Sequence, residues 1–204
     1  MLDSKGFDNW ILQYDGSVKR SDEAGEYPFA GYGKILGTIR DRILAAPGRD
    51  VLDLGFGTAA LTAQLYEAGC RIYGQDFSEG MRALAQEKMP EAKLYPGDFS
   101  EALAEELTER QYDAIVATYA LHHLTDEKKI ALLKRLLPML KEGGCLYIGD
   151  ISFPTRAAME ACRAANAGAW DDDEIYCVHE ELVKEFPTMT FEAFSRCGGL
   201  MMIK

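Results

Sequence analysis

The sequence has no apolar run approaching the ~20 residues that a membrane-spanning helix requires. Its first ten residues also lack the basic start and apolar stretch of a secretory leader, so neither a span nor an export signal is expected. Basic residues are few. Against 33 Asp plus Glu stand 22 Lys plus Arg, a formal net charge of -11 over 204 residues. That balance argues against a broad nucleic-acid face, which needs clustered Lys and Arg, and against an anionic membrane surface. The five cysteines, Cys70, Cys145, Cys162, Cys177 and Cys197, include no C-x-x-C pair. A scattered odd number reads as free thiols in a reducing, cytoplasmic setting. The three histidines fit no zinc spacing, so no metal is expected from sequence.

What is present is a chain able to bury a core. At 48% hydrophobic and 27% charged, its composition is that of a folded globule. Its length suits one domain. From residue 51 onward, strand-like and helix-like segments alternate, as in a mostly parallel sheet with helices on both faces. Strands are expected at 51–54, 71–74, 92–95, 112–118 and 145–151, with helices at 58–68, 79–88 and 125–140 between them. Thr125 reads as an N-cap with Asp126 and Glu127 in the first turn, and Pro138 predicts a kink or early stop. Gly143 and Gly144 read as the end of that helix. Before the core, residues 1–47 form an aromatic covering segment with a helix near 33–45. Residues 48–153 form the core, 154–187 an acidic helical insertion, and 188–204 a hairpin turning at Cys197-Gly198-Gly199. The fold class is therefore α/β: a doubly wound, mostly parallel seven-stranded sheet with a C-terminal antiparallel hairpin.

The stretch Val51-Leu-Asp-Leu-Gly-Phe-Gly-Thr-Ala-Ala-Leu61 carries the most chemistry. Gly55 and Gly57 permit a sharp strand-to-helix turn and close approach of a ligand. In an open parallel sheet, ligands bind in this crevice at the carboxyl ends of the strands. A Gly-x-Gly alone is equally well explained as a tight turn. Its partners add weight. Asp76 ends the second strand, where a carboxylate can accept both hydroxyls of a ribose. Asp98 follows the third, placed to accept from an exocyclic adenine amine, and Phe99 can offer its backbone N–H to the ring. Together they describe an adenosine site, used by NAD enzymes and S-adenosylmethionine enzymes alike; Gly55-x-Gly57-x-x-Ala60 even satisfies a permissive dinucleotide fingerprint. Asp53 separates the two, since its charge would repel pyrophosphate and suit an ammonium or sulfonium. A binding protein without catalysis stays open as an alternative, and an NAD-dependent oxidoreductase less so.

These residues resemble the class I, Rossmann-like S-adenosylmethionine-dependent methyltransferases. Residues 51–59 are similar to the family's first motif, Gly74-Gln-Asp76-Phe-Ser-Glu-Gly-Met81 to its ribose motif, and Gly97-Asp98-Phe99 to its adenine motif. Residues 112–124 resemble the fourth strand and turn of the branch that acts on small molecules. Phe7-Asp-Asn-Trp10 with Tyr14-Asp15 resembles a cap that closes over the cofactor. The usual third glycine is Ala59 here, a departure small enough for cofactor binding to survive. The resemblance implies that Gly55 and Gly57 lie against the methionyl part and Asp53 approaches its amino group. It further implies that Asp76 holds the ribose, Phe77 and Met81 flank the adenine, Asp98 and Phe99 fix its edge, Thr118 lies near the sulfonium and Tyr14 closes the pocket.

Methyl transfer from a sulfonium is an in-line displacement that needs alignment and exclusion of water. A base is needed only for an acceptor protonated at neutral pH. His122 and His123, after the fourth strand, are candidates, and packing beneath the cofactor or bonding to a backbone carbonyl are their alternatives. Asp150 either faces the acceptor or caps the next turn. The acidic run Asp171 to Glu174, beside Trp170 and Tyr176, reads as a solvated loop or as a wall suited to a cationic amine. Thr118-Tyr-Ala-Leu121 stands where DNA and glutamine amino-methylating enzymes carry an Asn-Pro-Pro-Tyr motif. That turn also holds no Cys for a covalent pyrimidine mechanism. The expectation is a small-molecule acceptor, with no nucleic-acid partner and no stated oligomeric state.

Overall fold

A computed structural model describes residues 16–204. The expected roles of Phe7, Trp10 and Tyr14 therefore lie outside the described residues. The described chain begins with helical turns over 16–24 and helix α1 (Tyr32–Ala45), which buries Ile35, Leu36, Ile39 and Ile43. The sheet follows: β1 (Asp50–Leu54), β2 (Arg71–Asp76), β3 (Lys93–Pro96), β4 (Tyr112–Thr118) and β5 (Leu140–Phe153). Two-residue β6 (Cys177–Val178), then β7 (Thr190–Ala193) and β8 (Gly198–Ile203), complete it. The order across the sheet is β3-β2-β1-β4-β5-β8-β7, with β6 paired to β5. Strands β1 to β5 run parallel, and β8 is antiparallel to both β5 and β7. The expected fold class is observed.

Burial explains why β1 and β4 hold the centre. Val51, Leu52, Leu54, Ile115 and Val116 are fully enclosed, as strands covered on both faces must be. One core lies on the face covered by α1 and holds Val51, Val116 and Ile151. The other lies on the opposite face and holds Leu52, Leu54, Ile115 and Leu146. It is closed by Leu132, Leu133 and Leu136 of the helix Asp126–Leu136. Strand order reverses between β1 and β4, so the crevice of a doubly wound sheet opens at their carboxyl ends. No helix among the described residues is long and apolar enough to cross a membrane.

Several boundaries differ from the sequence reading for physical reasons. Helix Glu79–Lys88 and strand β4 fall where expected, and Thr125 caps its helix by accepting from Lys128 N–H at 3.3 Å. The first crossover helix starts late, at Thr62, because Ala59 holds a left-handed backbone (φ 60°) that breaks the run from Thr58. The Asp126–Leu136 helix stops short of Pro138, and Gly143-Gly144 lies inside β5 where the pairing register shifts. Gly198 and Gly199 sit in β8, not in a turn. Their flat backbone lets Ala30 and the Phe191 ring approach within 2.7 and 2.4 Å of where a Cβ would stand. The close approach demands glycine there, not chain reversal.

Candidate functional site

A cavity of about 720 Å³ opens at the carboxyl ends of β1, β2, β3 and β4. Its floor is the glycine loop. Gly55 has φ 70°, and a Cβ there would stand 2.7 Å from the Ala120 methyl and 3.2 Å from the Phe99 ring. Any side chain at this position would therefore collide with Ala120 and force the loop or Ala120 to shift. Gly57 has φ 52° and donates its N–H to Asp76 Oδ2 at 3.0 Å, while Ser78 N–H donates to Asp76 Oδ1 at 2.9 Å. The two bonds fix the carboxylate at the end of β2 and tie it to the loop. Gln75 does the same for the neighbouring loop, donating to Ala102 O and accepting from Ala104 N, each at 2.8 Å. Asp98 accepts from Ser100 N–H at 2.8 Å. Asp76, Phe77, Met81, Asp98, Phe99 and Thr118 all line the cavity.

Asp53 is placed differently. It is fully buried in β1 beneath the loop and is not on the cavity wall. Its Oδ1 finds no hydrogen-bond partner among the described residues. Burial pushes its carboxyl up to about 7, with the Thr62 hydroxyl drawing it back and the Asp76 charge adding to the rise. An acid raised in the folded state opposes folding once ionised. The penalty is absent below about pH 4, grows as pH rises toward 7, and is constant above. Asp53→Asn is therefore expected to stabilise the ligand-free protein at pH 8, with no gain near pH 4. The ceiling is about 4 kcal/mol, and relaxation around the carboxylate brings the expectation to about 1–3 kcal/mol. Denaturant midpoints of both proteins at the two pH values check this; an equal difference at both would contradict the assignment.

The opposite end of the cavity is built on the turn after β4. Tyr119 (φ 50°) donates its N–H to Gly149 O at 2.8 Å, and Leu121–His123 form one 3-10 turn. Asp150, fully buried at the end of β5, accepts from Leu121 N at 3.0 Å and His122 N at 3.3 Å through Oδ2. Its Oδ1 meets His122 Nδ1 at 2.6 Å and Ile151 N at 2.8 Å. Asp150 thus both fixes the turn and orients the ring, but stands behind the wall. Burial alone would lower the His122 pKa; the Asp150 charge and hydrogen bond, with Glu174, leave it raised. The same pairing holds Asp150 low against its burial. Burial and the neighbouring His122 take His123 down to about 4.

The acidic insertion folds over this end. Of the run 171–174, Asp171 and Glu174 line the cavity, while Asp172 pairs with Arg163 outside. Glu174 Oε1 lies 3.5 Å from His122 Nε2, and burial raises the Glu174 pKa. The aromatic residues of the covering segment supply the roof. Tyr27 stacks on Trp170 at 5.3 Å and bonds Tyr176 through its hydroxyl, and Phe29 and Tyr32 pack on Tyr119. Sequence reasoning assigned no role to Tyr119, although it lies within the 112–124 stretch, and missed Lys129, a fully buried lysine on a helix face that reads as solvated.

A family model described as a methyltransferase domain matches residues 51–144. An uncharacterized methyltransferase of Anoxybacillus flavithermus is 39% identical over 155 residues, covering 76% of this chain and 70% of that protein. One from Geobacillus kaustophilus is 36% identical over 195 residues, covering 92% and 87%. Among solved structures, a complex of DhpI with SAH superposes with a TM-score of 0.70 at 17% identity, covering 98% of this chain and 93% of that one. Magnesium protoporphyrin IX methyltransferase from Synechocystis with bound SAH gives 0.69 at 16% identity, covering 98% of each. At such identities the structural likeness is one of fold.

Proposed function

Because this chain belongs to the class I S-adenosylmethionine-dependent methyltransferases, we propose that the cavity holds the cofactor beside a small-molecule acceptor and aligns the two for methyl transfer. The observation that carries the acceptor class is the size and closure of the cavity. Its 720 Å³ lies within the roughly 300–1,000 Å³ of sites for a single drug-sized ligand. The cofactor is itself of that size, so the space left beneath Tyr27, Phe29 and Tyr32 suits only a small molecule.

The residues present fit the cofactor. Gly55 and Gly57 leave the methionyl part an open floor, and Asp76 places a carboxylate at the cavity edge where the ribose hydroxyls would lie. Phe77 and Met81 offer apolar faces for the adenine, with Asp98 and Phe99 at its edge. Asp53 would act from below the loop, its buried charge favouring the ammonium and sulfonium without contact. When bound, the cofactor supplies an activated methyl on a good leaving group. The protein's share is to align the acceptor and exclude water. Thr118 lines the cavity wall, and His122 and His123 at the acceptor end face the acceptor's reacting group, with Asp150 orienting the His122 ring from behind the wall. The five buried free cysteines agree with a cytoplasmic setting.

Incubation of the protein with methyl-labelled cofactor and a fractionated bacterial extract tests the acceptor class. Label is expected in the low-molecular-weight fraction. Label confined to protein or nucleic-acid fractions would overturn the small-molecule reading while leaving methyl transfer intact.

A further inference from the structure

We propose that His122, His123 and Glu174 bind a first-row divalent metal ion of the zinc type at the acceptor end of the cavity, with an open position toward the acceptor. The three side chains come from two distant parts of the chain: the turn after β4, and the insertion some fifty residues later. One ligand atom from each lies within 4.8 Å of the others. All three residues line the cavity. Two His nitrogens and one Glu oxygen form a donor set typical of catalytic zinc, in which three protein ligands leave a fourth position for water or substrate.

The His122–Glu174 spacing suits an ion, and His123 offers a nitrogen within 4.8 Å of both. Donors about 2.0–2.1 Å from one tetrahedral centre stand roughly 3.4 Å apart. His122 Nε2 and Glu174 Oε1 are 3.5 Å apart. The other nitrogen of His122 faces Asp150 at 2.6 Å, so Nε2 is the atom presented to the cavity. A carboxylate behind a ligating imidazole is the usual support in metal sites, where it fixes the tautomer and raises the ring's basicity. Asp150 is held in that role by three backbone N–H groups, from Leu121, His122 and Ile151. The stretch carrying Glu174 is anchored as firmly: Ile175 N–H donates to His122 O at 2.8 Å, and Lys129 Nζ donates to Ile175 O at 2.5 Å. The ligand arms are thus cross-tied to each other before any ion arrives.

The proposal rests on the methyl-transfer reading of the cavity and assigns the activating step within it. An acceptor hydroxyl seated on the ion would lose its proton to solvent water at neutral pH, leaving an oxygen with a free lone pair to take the methyl group. The same ion accounts for paired histidines and a glutamate that no sequence spacing connects.

The test uses the full chain, free of any affinity tag containing histidine and stripped with a chelator. Zn²⁺ is titrated calorimetrically, and Co²⁺ by visible absorption. One equivalent is expected to bind at micromolar or lower Kd, with Co²⁺ giving the d–d bands of a four- or five-coordinate nitrogen and oxygen site. His123→Ala and Glu174→Gln should each weaken binding at least tenfold, and Asp150→Asn about 10- to 100-fold. Thermal melts of each variant, with cofactor affinity measured on the same samples, separate local loss from misfolding. Absence of stoichiometric binding below 100 µM ion, on the scale of roughly micromolar sites, would overturn the proposal. So would binding undiminished in a folded His123→Ala or Glu174→Gln protein. Cofactor affinity retained in either case would leave the methyltransferase reading standing. Metal binding with no cofactor affinity would reject that reading instead.

Discussion

Replacing Asp76 with Ala is expected to weaken S-adenosylmethionine binding about 10- to 100-fold. A carboxylate's oxygens provide about four acceptor sites. In this structure its oxygens accept from Gly57 N–H and Ser78 N–H, and the residue faces the cavity at the end of β2. Charge-assisted bonds to ligand hydroxyls contribute about 1.5–3 kcal/mol, which converts to that range of affinity. The substitution also frees Gly57, whose left-handed backbone (φ 52°) is held in place by the lost carboxylate. The preformed floor beneath the ligand would loosen with it. Asp76→Asn keeps one acceptor oxygen and should fall between wild type and Ala. Asp98→Ala should cost less, because Asp98 braces only its own loop through Ser100. Equilibrium dialysis with labelled cofactor ranks the three. An Asp76→Ala protein that is folded and binds as tightly as wild type would mean that the ribose lies elsewhere.

The glycine-loop end of the cavity was legible because it is local. Glycine loop, strand-end acids and their spacing lie within fifty residues, and each element is set by near neighbours. The sheet was legible for the same reason: β4 is a run of buried β-branched and aromatic residues that reads as a strand in any context. Glycine misled where one residue type serves two physical needs. Gly198 and Gly199 are required by the approach of Ala30 and Phe191, atoms 168 and 8 positions away in the chain, and nothing in their own neighbourhood distinguishes this from a turn. Asp150 looked like either a cap or an acceptor-facing acid. It proves to brace the turn and the His122 ring together, a role that exists only because β5 lies beside β4. The opposite end of the cavity joins the turn after β4 to the insertion at 169–176, so it comes together only when the chain has folded.

Lys129, on the helix after that turn, also anchors the insertion, and its replacement by Ala is expected to cost about 3–5 kcal/mol of stability. Its side chain is fully enclosed, with the ammonium donating to Asp126 Oδ1 at 2.9 Å and Ile175 O at 2.5 Å. Asp126 is half exposed and can turn to water when the lysine is lost, so it is not stranded as a buried charge. The Ile175 carbonyl, on an exposed residue, loses its ammonium donor, and losing a hydrogen bond from a charged group costs about 1.5–3 kcal/mol. Truncating the aliphatic stem adds a cavity of the kind that makes large-to-small core changes cost about 2–5 kcal/mol. Lys129→Met separates these contributions, since it refills the space without restoring the donor; it should cost only about 1–3 kcal/mol. The functional consequence is predicted to be one-sided. Ile175 adjoins Glu174, so releasing it should loosen the acceptor wall, raising KM for the acceptor and leaving the cofactor Kd within about twofold of wild type. Asp76→Ala should show the converse, losing cofactor affinity with a smaller change in melting temperature. If Lys129→Met melts like wild type, or loses cofactor and acceptor binding in equal measure, the buried ammonium is not what holds the acceptor wall in place.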